Sequence, residues 1–319
     1  MNGLYSFFER RYPSANGVLL HGPAPVLVDP GFGSDVGDLM SWLSANGVQP
    51  EGLTLVVNTH YHSDHVGGNH LLQTAYGVNI AAHAADAELI NRRDPKACAA
   101  EWLRQPVESY TVNQPLRDGD CIDTGAGVWH VLHTPGHTVG HISLFQRETG
   151  VLIAGDKAHS NDVGWLNPFI EGDDSLAQSI ESLKRLSALN ARVAFSGHGS
   201  TIGDPATAIA SGLRRLERWV TDPEGAAWHA AKRILAYALM IEGGIPRNSL
   251  DAYLADAPWA ADFARTTFGM TSDQFAKTLL DSMLASGSIA WREDRLVASS
   301  PHTPTVPTWP RSAVVPSRW

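Results

Sequence analysis

The stretch NTHYHSDHVGG, residues 58 to 68, follows the apolar run that begins at Leu53 and places three histidines and an aspartate within the six positions from His60 to His65. A buried strand that ends in so many ligand-type side chains constrains the fold strongly. His60 and His62 are two apart on a segment leaving a strand, so an extended backbone points both imidazoles the same way. Asp64 and His65 follow where the chain turns into the helical stretch GGNHLLQTAYG, aiming a second pair at a neighbouring point.

Other short apolar runs repeat this design. PVLVDPGFG (25 to 33), LTLVVNT (53 to 59), VWHVLHT (128 to 134), HISLF (141 to 145), VLIAGD (151 to 156) and RVAFSG (192 to 197) each read as a buried strand ending in a polar residue or glycine. DVGDLMSWLSANG and DDSLAQSIESLKRLSALN between them carry apolar residues at three- and four-residue steps, with Asp174 or Ser175 as N-cap and Gly47 or Asn190 closing. The alternation predicts an α/β domain with layered sheets over residues 1–204.

After Asp204-Pro205 the pattern becomes mainly helical. Ile209, Leu213, Leu216 and Val220 mark one amphipathic helix, and Trp228, Ala231, Ile234, Leu235, Ala238 and Leu239 a second. A last helix with Phe275, Leu279, Leu280, Met283 and Leu284 on one face precedes two short strands joined by REDR, a winged-helix-like order within 205–299. Residues 300–319 hold five prolines and no acidic residue and read as an extended or disordered tail.

Composition excludes several function classes. The chain has 319 residues and a formal charge of −9, so nucleic acid is not an expected bulk partner. Residues 205–299 carry ten Lys/Arg against eleven Asp/Glu, and the helix with Asp273, Lys277 and Asp281 is not the basic surface a DNA reader needs. Cys98 and Cys121 form no disulfide framework or CxxC pair. The arginines near the N-terminus follow a short apolar patch, and no apolar run approaches 18 residues. The expectation is a cytoplasmic protein without membrane partners, acting on a small molecule, with an apolar C-terminal module that shapes the substrate mouth or makes a subunit contact, as in a homodimer.

A catalytic zinc takes three protein ligands and keeps a position open, so His60 and His62 need a third partner. LHTPGHTVGHISLF offers one, and the ends of VLIAGD and AFSGHG add Asp156 and His198. The order HxHxDH, His137, Asp156, His198, with the early Asp29 in LVDPG, resembles the metallo-β-lactamase superfamily over roughly residues 15 to 204. The resemblance implies a four-layered αββα sandwich with metals at the strand ends. It implies His60, His62 and His137 at one metal, Asp64, His65 and His198 at the other, and Asp156 between them. Asp64 is also the catalytic residue, orienting a hydroxide that two ions about 3.5–4 Å apart can share while polarising a carbonyl.

The cofactor expected is Zn²⁺, two per chain, with iron or manganese as the other metals such ligands accept. The motifs are closer to glyoxalase II-like and lactamase-β-like hydrolases than to secreted β-lactamases. They predict hydrolysis of a thioester, lactone or related ester or amide. The alternatives are a phosphodiesterase nuclease, a mononuclear iron persulfide dioxygenase and a DNA-binding regulator.

Asp29, His133 and His141 are read as groups that orient ligands, and Lys157 as a surface lysine, with steering of an anionic substrate group as its alternative. His21, His70, His83, His130, His229 and His302 lack ligand spacing. The segment with His159, Trp165, Asn167 and Phe169 is expected to line the mouth, Trp165 and Phe169 forming an apolar wall, and GFGSD (31 to 35) is a second rim candidate. No basic residue suited to a glutathione substrate stands out in the C-terminal part.

Overall fold

The computed structural model describes residues 3–306, 309 and 313–319. Strands β1 (Tyr5–Phe8), β2 (Gly17–Leu20), β3 (Val26–Val28), β4 (Leu55–Val57), β5 (Ile80–His83) and β6 (Gln114–Leu116) form one sheet in sequence order. The pairs β3–β4, β4–β5 and β5–β6 are parallel. Strands β7 (Cys121–Asp123), β8 (Val128–His133), β9 (Ile142–Gln146), β10 (Val151–Gly155) and β11 (Val193–Ser196) form the second, in the order β11-β10-β9-β8-β7. Only β10–β11 is parallel there.

Side-chain alternation along the strands assigns the layers. Val26 and Val28 meet Val131, Leu144 and Ile153 of the second sheet in an apolar core between the sheets. Leu27, Val56 and Ile80 face the opposite way into a helical layer that includes Leu39 and Leu43. On the outer face of the second sheet, Leu152 and Ala194 pack against Leu183 and Leu186 of the helix Ser175–Ser187 and Ile209 and Leu216 of the helix Pro205–Thr221. Strands covered on both faces read as continuous apolar runs, as in the wholly buried Val151–Gly155. The result is the four-layered arrangement.

The helices Pro223–Ile241 and Ser272–Ala285 follow the expected apolar stripes. The hairpin of β13 (Ile289–Arg292) and β14 (Arg295–Ala298) gains a third strand, β12 (Ile245–Pro246), which the sequence did not signal. Leu235, Leu239, Trp259, Phe275 and Leu279 join the same apolar cluster as Leu27 and Val56, so the outer layer of the first sheet continues into the C-terminal helices. No helix among the described residues is long and apolar enough to cross a membrane.

The tail is extended and docked on the body. His302 bridges to Tyr12, Val314 pairs with Val107, and the Trp319 indole donates to the Val107 carbonyl at 3.1 Å. Trp309 is buried against Phe32, with ring centroids 4.4 Å apart. Proline keeps this segment extended, while its tryptophans provide the apolar surface that docks it on the body. Residues 307, 308 and 310–312 of the expected tail lie outside the described residues.

Leu239 is fully buried in the shared cluster. Leu239→Ala is therefore expected to cost about 2–5 kcal/mol. Urea unfolding followed by tryptophan fluorescence should show one shifted transition. Two transitions with only one displaced would contradict a continuous core.

Candidate metal centre

The expected ligands arise at strand ends that meet on one edge of the sandwich. After β4 the chain runs through His60 and His62 into the short helix Ser63–Val66, which carries Asp64 and His65. His137 lies on the β8–β9 connection, Asp156 directly follows β10, and His198 stands two residues beyond β11. His60, His62 and His137 gather at one point; Asp64, His65 and His198 gather at another; Asp156 approaches His60 and His65 between them.

In the first group His62 Nδ1 lies 3.1 Å from His60 Nε2 and 3.0 Å from His137 Nε2. Three imidazole nitrogens so close cannot all satisfy one another, since each contact needs a donor. His137 Nδ1 donates to the Trp165 carbonyl at 2.7 Å, leaving its Nε2 lone pair facing the others. Burial, followed by neighbouring histidines, holds the pKa values of His60 and His137 well below the usual range. The same causes lower His62 to about 3. Neutral imidazoles with converging lone pairs are what a metal ion requires.

The second group is rich in negative charge. His65 Nε2 lies 3.8 Å from Asp64 Oδ2 and 3.5 Å from Asp156 Oδ1, and His198 Nε2 lies 3.0 Å from Asp64 Oδ2. Burial pulls the His65 pKa down, but Asp29, Asp64 and Asp156 together raise it well above normal. The pocket is thus built to hold a cation. His65 Nε2 and Asp156 Oδ1 are buried without a hydrogen-bond partner among the described residues, which fits their use as ligand atoms.

Supporting groups fix these orientations. Asp29 accepts from the Thr59 amide at 2.8 Å, the Thr59 hydroxyl at 2.6 Å and His65 Nδ1 at 2.8 Å. His141 accepts from the Asp156 amide at 3.1 Å while its Nδ1 meets the Thr134 hydroxyl at 2.9 Å. His133 instead contacts the Val139 carbonyl at 2.9 Å. A side chain at Gly197 would collide with Asp156 and His65, and Gly155 combines a φ of 54° with close approach to His141 and Thr59.

Several expectations need correction. Lys157 is buried, not a surface lysine: it donates to the Pro135 carbonyl at 2.8 Å and the Ser179 hydroxyl at 3.2 Å, and burial lowers its pKa to about 7. Trp165 lines the mouth and stacks on His62 at 5.3 Å, whereas Phe169 packs on Phe263 at 5.1 Å. Asn167 is buried and caps a helix turn by accepting from the Ile170 amide. Residues 31–35 do not reach the mouth, because Phe32 is buried and Gly33 lies beneath Trp309.

The cavity in front of the ligands measures about 340 Å³. The helix Pro223–Ile241 supplies one wall with Arg233, Ile234, Tyr237 and Met240, and Tyr12 and His159 add polar groups. Arg233 is the cavity's basic residue and went unnoticed in the sequence. Its helical spacing from Tyr237 was the available signal.

The sequence profile described as the metallo-beta-lactamase superfamily matches residues 13–198. The chain belongs to this superfamily. It is a metal-dependent hydrolase, similar to proteins named hydroxyacylglutathione hydrolase. That of Rhodospirillum rubrum is 30% identical over 240 residues, covering 72% of this chain and 79% of the relative. That of Methylococcus capsulatus is 32% identical, covering 57% of this chain and 61% of the relative. The chain therefore spans under two thirds of this second relative. In fold, it resembles the crystal structure of a metallo-beta-lactamase family protein from Thermus thermophilus, with a TM-score of 0.58 and 24% identity. That likeness covers 92% of this chain and 98% of the other.

Asp29→Ala removes the acceptor that orients His65. It is expected to weaken metal retention by roughly 10- to 100-fold in competition with a chromophoric chelator. His70, whose Nδ1 contacts the Ser109 carbonyl at 2.7 Å, should tolerate alanine without such a change. Equal losses would mean that the assay reports general destabilisation.

Proposed function

We propose that this protein is a zinc-dependent hydrolase of small acyl thioesters. His60, His62 and His137 hold one ion, Asp64, His65 and His198 a second, and Asp156 lies between both. The observation that carries this reading is the pair of ligand clusters opening on one cavity. Relatives named hydroxyacylglutathione hydrolase support a thioester over a lactone or simple ester. The domain division proposed is a metal-binding unit over 1–204, a helical unit of winged-helix type over 205–299 and a docked tail.

Bound zinc supplies Lewis acidity and a nucleophile derived from water at neutral pH. The chain's own groups do the positioning. Asp64 lines the cavity and offers its carboxylate to the attacking water, accepting a hydrogen bond that orients it. Trp165 covers one face of His62 and excludes bulk water from that side. The Trp165 carbonyl and Asp29 prevent His137 and His65 from rotating away. No serine or cysteine nucleophile is needed.

Purified protein supplied with zinc should bind roughly two equivalents and hydrolyse thioesters until a chelator is added. His60→Ala or Asp156→Ala should lower turnover by several orders of magnitude. Elemental analysis finding one iron and no zinc would favour the persulfide dioxygenase. Hydrolysis of lactones or phosphodiesters but not thioesters would change the substrate class.

The C-terminal helices should confer no salt-sensitive duplex binding. Micromolar DNA affinity at about 0.15 M salt, falling steeply as salt rises, would favour the nuclease or regulator.

A further inference from the structure

The cavity is not electrically uniform. Asp162, on the loop after β10, is contacted by Arg233, by Arg215 at 3.3 Å and by His229 at 3.1 Å. Burial, with Arg215 adding to it, lowers His229 to about 4, so this histidine contributes no charge near neutrality. Two guanidinium groups therefore share one carboxylate. The triad of Arg233, Asp162 and Arg215 keeps one net positive charge, and of its three members Arg233 and Asp162 line the cavity. Arg233 is half-exposed and lines the cavity, so its unshared N–H groups remain available to a ligand.

Two neutral donors flank it. Ser196 Oγ accepts from the His198 amide at 3.3 Å and can direct its own hydrogen to His159 Nδ1. His159 then carries its proton on Nε2, and the residue lines the cavity. The Tyr12 hydroxyl has no hydrogen-bond partner among the described residues and lines the cavity, so its hydrogen is available to a ligand. The Arg233 charge acts on both Tyr12 and His159. The Tyr12 ring stacks on His198 at 4.5 Å, and the His159 ring lies 6.0 Å from the same histidine. A cation and two neutral donors thus converge beside the second ligand cluster.

We propose that Tyr12, His159 and Arg233 form an anion subsite that takes a carboxylate carried a few atoms from the scissile carbonyl. This deepens the acyl-hydrolase reading by naming half-thioesters of short dicarboxylic acids as the substrate class. A single net charge suits a carboxylate better than a phosphate dianion, and a guanidinium with flanking donors matches its oxygens. Arg233 and its partners determine specificity; they do not perform the hydrolysis.

The test compares glutarate with glutaramate by calorimetry on the zinc-loaded full chain. Both probes offer one carboxylate to the metal, and only glutarate has a second for the subsite. The wild type should prefer glutarate by roughly tenfold, and Arg233→Met should abolish the preference. Arg233→Lys should restore part of it, which separates lost charge from damaged folding. Equal wild-type affinities, a preference surviving in Arg233→Met, or no binding of either probe at millimolar concentration would overturn the proposal. Kinetically, Arg233→Met should raise KM for a glutarate half-thioester by about tenfold with kcat nearly unchanged, and leave its methyl ester unaffected. If no thioester is turned over, the hydrolase reading fails, while calorimetry still decides the subsite.

Discussion

The Asp29 carboxylate is the brace on which the rest of the site depends. It sits at the end of β3 with a φ of 53°, a left-handed turn that aspartate tolerates better than a bulkier residue. Its three accepted hydrogen bonds tie β3 to Thr59 and to His65. Two adjacent parallel strands and the short helix of the second cluster are thereby registered to one another. Without that tie, His65 would be buried close to two other carboxylates with no fixed direction for its lone pair. A weakly oriented ligand loses affinity because its conformational freedom must be removed when the ion binds.

The ligand arrangement is compatible with an apolar sandwich because the two demands are separated along each strand. β-branched and aliphatic residues fill both faces of β3, β4 and β10, while the polar groups appear only after the strands end. Backbone crowding at those ends is relieved by glycine. Gly197 lets β11 pass close to Asp156 and His65, and Gly155 turns the chain so that Asp156 enters the site while its amide donates to His141. Ligand geometry and strand packing are therefore one problem, solved at the sheet edge.

The legible parts of the sequence were those with local signals. Six apolar runs became six strands, and the amphipathic helices after 204 lie where their apolar spacing placed them. All seven candidate ligands converge in three dimensions, because HxHxDH is local and the remaining ligands each follow an apolar strand. The illegible parts depend on distant partners. Lys157 looked exposed because its acceptors, the Pro135 carbonyl and Ser179, are far away in sequence. The short strands β5, β6 and β7 are held by sheet pairing with neighbours that their own composition does not identify. The tail reads by composition as extended or disordered, and what composition leaves out is that Trp309 and Trp319 dock it through apolar contact and hydrogen bonding.

The C-terminal helices link the fold to selectivity. The helix Pro223–Ile241 buries Leu235 and Leu239 in the layer behind the first sheet and turns Arg233, Ile234 and Tyr237 toward the cavity. Tyr237 also donates to the Pro13 carbonyl at 2.9 Å, next to the Tyr12 ring that stacks on His198. One rigid element thus carries core packing, a tie to the N-terminal segment and the charged wall of the cavity. The candidate metal ligands sit at strand ends, while one wall of the cavity in front of them comes from a helix outside the sandwich. A change on that helix face can retune what the cavity accepts while the ligand set stays intact, because the two are joined by packing and not by shared ligands.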